Sequence, residues 1–105
     1  MSAIISADTM TAFLTEMDRA EKKHGDGYMG NITGRHSDVL VLREAIITGS
    51  LARHVCDRET PGPFDVLMEE AGELAADISQ GRDIRSELTQ VAAMALAWLE
   101  VVTDD

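Results

Sequence analysis

Apolar residues in this chain recur at three- and four-residue intervals, and no segment alternates apolar with polar as a strand would. Met10, Phe13, Leu14 and Met17 repeat at i, i+3, i+4, i+7, the spacing of one face of a helix. That spacing restricts the chain to packed helices. The first is expected from about Asp8 to Lys23, with Ser6 or Asp8 as its N-cap and Gly25 as its stop. A loop follows to about Arg35. The second spans roughly Ser37 to Asp57 on Val39, Leu40, Leu42, Ile46, Ile47, Leu51 and Val55, with Gly49-Ser50 inside it as an expected break or kink. Pro61-Gly62-Pro63 ends whatever precedes it and suits the start of a third helix, about Phe64 to Ser79, which stops at Gly81. The fourth begins near Asp83 or Ser86 and runs to about Val102. The expected architecture is an all-α four-helix bundle, one domain over residues 1–105.

Composition narrows the setting. Only four residues are aromatic, and Ala, Leu, Val and Met fill the apolar positions, as in packed helices. No apolar run approaches the roughly 18–20 residues that span a bilayer, and the N-terminus lacks the basic and apolar regions of a signal peptide. A lone cysteine, Cys56, cannot form an internal disulfide, which fits a reducing cytoplasm. Val39, Leu40, Val41 and Leu42 are consecutive, so one helix face cannot hide them all. A homodimer or homotetramer is therefore expected. The net charge of −10 is uneven. Residues 64–105 hold ten acids against two bases, Arg82 and Arg85, and such a surface repels nucleic acid backbones.

The acids themselves form a pattern. Asp65, Glu69, Glu70, Glu73 and Asp77 stand on the third helix with no Lys or Arg before Arg82. Like charges at i,i+4 destabilise a helix by a few tenths of a kcal/mol per pair, so their repetition suggests an external neutralising cation. Hard divalent cations take oxygen ligands, and magnesium bridges carboxylates and phosphates. With residues 100° apart, Glu70 and Glu73 border the apolar arc of Leu67, Leu74 and Ile78. Glu87, on the fourth helix, shares a face with Gln90, Val91, Met94, Trp98 and Val101, and so points inward. A lone buried carboxylate costs several kcal/mol unless paired or metal-bound. The bland alternatives are a solvated acidic face for the third helix and a dipole-favoured first-turn glutamate for Glu87. No histidine lies at metal-binding spacing near these acids, which disfavours zinc or iron.

The segment Glu70-x-x-Glu73, thirteen further residues, then Glu87-Leu88-Thr89-Gln90 resembles the MazG-like all-α nucleotide pyrophosphohydrolases, whose hallmark is Glu-x-x-Glu, a spacer, then Glu-x-x-Asp. Glu69 matches the paired glutamates of many members, and Ser86 to Glu100 is similar to the MazG-like proteins of actinobacteria and their phages. The likeness covers residues 64–102 and extends weakly to Asp18–Asp26. It implies magnesium (or manganese) held by Glu70, Glu73, Glu87 and Gln90. Glu69 would be a further ligand or the base that orients water, in hydrolysis of a nucleoside triphosphate to monophosphate and pyrophosphate. Gln90 departs from the pattern: an amide offers one oxygen but removes a charge, which weakens metal binding.

Other signals carry less. Gly25-Asp26-Gly27-Tyr28-Met29-Gly30 matches G-x-G-x-x-G but follows a helix instead of a strand, and reads as a plain loop. Lys22, Lys23 and His24 beside it are weak candidates for phosphate contact. His36 and His54 read as surface or capping residues, Arg43 and Arg53 as surface ion pairs, Trp98 as core. Two functions compete with magnesium-dependent hydrolysis. One is nucleotide binding without turnover, favoured by Gln90; the other is an acidic phage-type inhibitor that mimics nucleic acid charge.

Overall fold

The computed structural model describes residues 5–25, 37–58 and 60–104. It is all-α: four helices, α1 (Ala7–His24), α2 (Val39–Arg58), α3 (Pro63–Ser79) and α4 (Arg85–Asp104), with no strand among the described residues. No described helix is long and apolar enough to cross a membrane. The loop read between Gly25 and Arg35 lies, after Gly25, outside the described residues, as does His36.

Local chemistry explains the boundaries. Ser6 caps α1, its hydroxyl accepting from the Thr9 amide at 3.2 Å. Gly25 closes the helix at φ 86°, with its amide donating to the Glu21 carbonyl at 2.8 Å. Asp38 accepts from the Leu40 amide at 2.8 Å ahead of α2. Pro63 opens α3, where the Asp65 carboxylate reaches back to accept from the Gly62 amide at 2.9 Å. Gly81, at φ 68°, makes the turn out of α3, and Asp83 accepts from the Arg85 amide at 3.0 Å as α4 begins.

The chain divides into two compact units, Met1–His36 with Leu99–Asp105, and Ser37–Trp98. In the first, the Glu100 carboxylate accepts from the Ser6 amide at 2.6 Å. An anion at a helix N-terminus is favoured by the exposed N–H groups and the helix dipole, and this contact holds the Glu100 carboxyl below its usual range. Thr9, beneath it, is fully buried.

The second unit contains α2, α3 and most of α4. Gly49, expected to break or kink its helix, lies instead in the middle of an uninterrupted α2. It is buried against Gly72 of α3, and a Cβ added at either glycine would come within 2.6 Å of the other's Cα. Ala52 and Ala75 are the buried apolar residues of the described chain, one on each helix. Small residues thus bring two helix backbones into direct contact. Glycine is required here for its missing side chain, not for conformational freedom. On the far side, α3 and α4 run antiparallel: Phe64 meets Trp98 edge-to-face, with ring centroids 6.4 Å apart. The opposite ends of that pairing bring Glu70 and Glu73 to Glu87.

Candidate metal centre

The α3/α4 pairing makes one constellation of carboxylates. Glu70, Glu73 and Glu87 each offer an oxygen lying within 4.8 Å of the others. All three residues are half-buried. Glu70 Oε2 and Glu87 Oε2 are shielded from water and have no hydrogen-bond partner. Two ionised carboxylates are both acceptors, so neither can satisfy the other without a proton or a cation between them. Each of the three carboxyls is accordingly pushed up from its ordinary value. Burial is the largest cause for all three. Negative neighbours add to it: Glu73 and Glu69 for Glu70, Glu87 for Glu73, Glu70 and Asp77 for Glu87. Like charges sharing a site bind a proton tightly, and a divalent cation competes for the same oxygens.

Asp77 shares the arc of Glu70 and Glu73 but is drawn aside by Arg82, whose Nε donates to it at 2.7 Å. Arg82 thereby leaves the other three acids to one another. Gln90, three residues after Glu87 on α4, is exposed.

Glu69 stands apart from the cluster. One residue of helix is a 100° rotation, which turns Glu69 from α4 toward α2. There it lines a cleft of about 130 Å3 with Glu73, Gly72, Gly49, Ser50 and Arg53. Its carboxylate acts on Cys56, whose thiol is pushed up first by burial and then by Glu69. Cys56 thus stays a protonated thiol rather than a thiolate nucleophile. Glu73 belongs to both the cleft and the cluster, and the positive charge of Arg53 works against the upward shift of Glu73.

In the other unit, Lys22 is paired with Asp18 at 2.9 Å, and Lys23 is exposed beside it near the end of α1. Arg43 and Arg53, read as members of surface ion pairs, are exposed and take part in none of the four pairs formed among the described residues. Sequence reasoning found the converging glutamates; it missed the cleft. The signal was available in the spacing of small residues, Ala45, Gly49 and Ala52 on one helix, Gly72 and Ala75 on the next. Comparison of this chain with models of protein families, with curated proteins and with solved structures finds no match.

Proposed function

We propose that this protein is a magnesium-dependent nucleoside triphosphate pyrophosphohydrolase of the MazG-like kind. The observation that carries the reading is the pair of shielded, unpartnered oxygens on Glu70 and Glu87, set beside Glu73. Orphaned buried acceptors at three convergent carboxylates suit a hard cation with oxygen ligands. Glu70, Glu73 and Glu87 would hold magnesium or manganese, with the Gln90 amide oxygen as a neutral fourth donor. When bound, the ion neutralises phosphate charge and acidifies the attacking water. Glu69, half-buried and lining the cleft that adjoins the cluster at Glu73, would accept that water's proton. The water oxygen bonds to phosphorus as the anhydride link between the α- and β-phosphates breaks, leaving monophosphate and pyrophosphate. A nucleotide panel assayed for pyrophosphate release with magnesium or manganese tests this. Release from no nucleotide, with a melting temperature indifferent to either metal, removes the reading. Nucleotide binding without release would favour the non-hydrolysing alternative, which the exposed, uncharged Gln90 supports.

The same reading includes self-association as a homodimer or homotetramer. Large apolar residues are exposed in the Ser37–Trp98 unit: Val39, Leu40, Val41, Ile47, Leu51, Phe64 and Leu88. Taking Gly49 as zero, Leu40, Ile47 and Leu51 fall within about 20° of the side of α2 opposite α3. At roughly 100 Å2 of apolar surface each, these three side chains present about 300 Å2 on one side of α2, the scale of the apolar patches that mark interaction sites (~300–600 Å2). A second copy of the chain supplies the cover that such surface requires.

A further inference from the structure

The cleft beside the carboxylate cluster is bordered by one guanidinium, that of Arg53, whose charge acts on Glu73 without forming a salt bridge to it. Arg19, Lys22, Arg82 and Arg85 each pair with a nearby acid, whereas Arg53 enters no ion pair among the described residues and is exposed. The cleft lies beside the Gly49–Gly72 backbone contact of α2 and α3, and both glycines line it. Its volume of about 130 Å3 far exceeds the ~10–15 Å3 that admits a single water. Ser50 lines the cleft on the same helix turn as Arg53. Glu73 closes the cleft on one side and belongs to the metal cluster on the other, so a group held in the cleft adjoins whatever the cluster binds.

We propose that this cleft binds a phosphate group of the substrate, with the Arg53 guanidinium as its anchor. The inference rests on the pyrophosphohydrolase reading and adds to it the place where the phosphate chain is gripped. An arginine fork matches two phosphate oxygens at once, which a lysine cannot do. Glu69 and Glu73 at the same cleft repel an anion, and a cation at the cluster reverses that field. Phosphate binding is therefore coupled to the metal: the cation admits the anion, and Arg53 orients it. In a chain of net charge −10, this cleft offers an anion a guanidinium that no salt bridge among the described residues occupies.

Calorimetry with inorganic pyrophosphate, with and without magnesium, tests the assignment on wild type, Arg53→Ala, Arg53→Lys and Arg43→Ala. Arg43 is equally exposed on α2 but does not line the cleft, so its loss removes the same charge elsewhere. Arg53→Ala should weaken pyrophosphate binding at least about tenfold, as for loss of a charge-assisted contact. Arg43→Ala should stay within about twofold of wild type, and Arg53→Lys should fall between. The melting-temperature rise with magnesium alone should survive in Arg53→Ala. Equal affinities in wild type and Arg53→Ala, equal losses in both alanine variants, or no pyrophosphate binding by wild type under either condition overturns the proposal. Loss of the magnesium effect in Arg53→Ala also overturns it, since Arg53 would then serve the carboxylates. Binding that needs Arg53 but no magnesium keeps the cleft and removes the metal reading.

Discussion

Replacing Gly72 by alanine tests the contact that sets the spacing of α2 and α3. A Cβ at position 72 would lie 2.6 Å from the Gly49 Cα, 3.0 Å from the Ala45 carbonyl oxygen and 3.3 Å from the Gly49 nitrogen. All three are backbone atoms, so no side chain can rotate away. Raising the shortest of these to an ordinary 3.4 Å contact separates the helices by about 0.8 Å. A gap of that size forfeits roughly a quarter to a half of each dispersion contact across the interface. Overpacking of a core costs about 1–3 kcal/mol, and a backbone-to-backbone clash belongs near the upper end. Alanine returns about 1 kcal/mol of helix propensity. The net loss is about 2 kcal/mol, or a melting temperature lower by roughly 10 °C for a domain of this size. Circular dichroism during heating and urea titration measures it, with the exposed Thr48→Ala as a propensity control expected to be neutral or slightly stabilising. Because Glu73 hangs on the next residue of the same helix, the melting-temperature rise with magnesium should shrink as well. A Gly72→Ala protein as stable as wild type would show that the two backbones are not in contact.

The carboxylate cluster sets a pH dependence. With Glu70, Glu73 and Glu87 all raised above 4.5, the metal-free fold binds more protons than the unfolded chain above that value. Its stability therefore falls as pH rises through the raised values. The magnesium-induced increase in melting temperature should grow over the same window, while Glu100 and Glu16, both lowered, act below it. Chelator-treated protein whose melting temperature climbs through that window would contradict this, and Glu73→Gln should flatten both slopes. Gln90→Asp adds a carboxylate one turn from Glu87 and should tighten magnesium binding and raise any pyrophosphate release; unchanged metal affinity would place position 90 outside the site. Light scattering should give at least a dimer mass at micromolar concentration, and Leu51→Glu should reduce it; a wild-type monomer would refute the covered-face argument.

Helix ends were legible because each carries its own chemistry: the Ser6 hydroxyl, Gly25, Pro61-Gly62-Pro63 and Gly81 act on the few residues beside them. The convergence of Glu70 and Glu73 with Glu87 was legible through periodicity, since the apolar neighbours of each acid fix the face it shares. Gly49 was not legible in the same way. A glycine within a helical pattern reports only weakened backbone propensity, and its purpose depends on Gly72, in another helix. Glu69 illustrates the same limit. Adjacent glutamates are near-identical in a motif, yet one residue of rotation sends Glu70 toward α4 and Glu69 toward Cys56 and the cleft. The exposed apolar side of α2 was visible only as an excess of apolar residues, because periodicity gives the face a residue shares and not what covers that face.

The bond between the Ser6 amide and Glu100 spans 94 positions of sequence. Closing a loop of that length carries an entropic cost of about 4 kcal/mol by chain statistics, and contacts of such separation form late in folding. During synthesis the ribosome releases α1 before any residue of α4 exists. Until Glu100 emerges, the start of α1 has only the Ser6 hydroxyl to cap it, and the anion that completes the cap is missing. Although α1 is made before α4, its start is secured only after α4 is complete, and truncation near residue 100 is felt at residue 6.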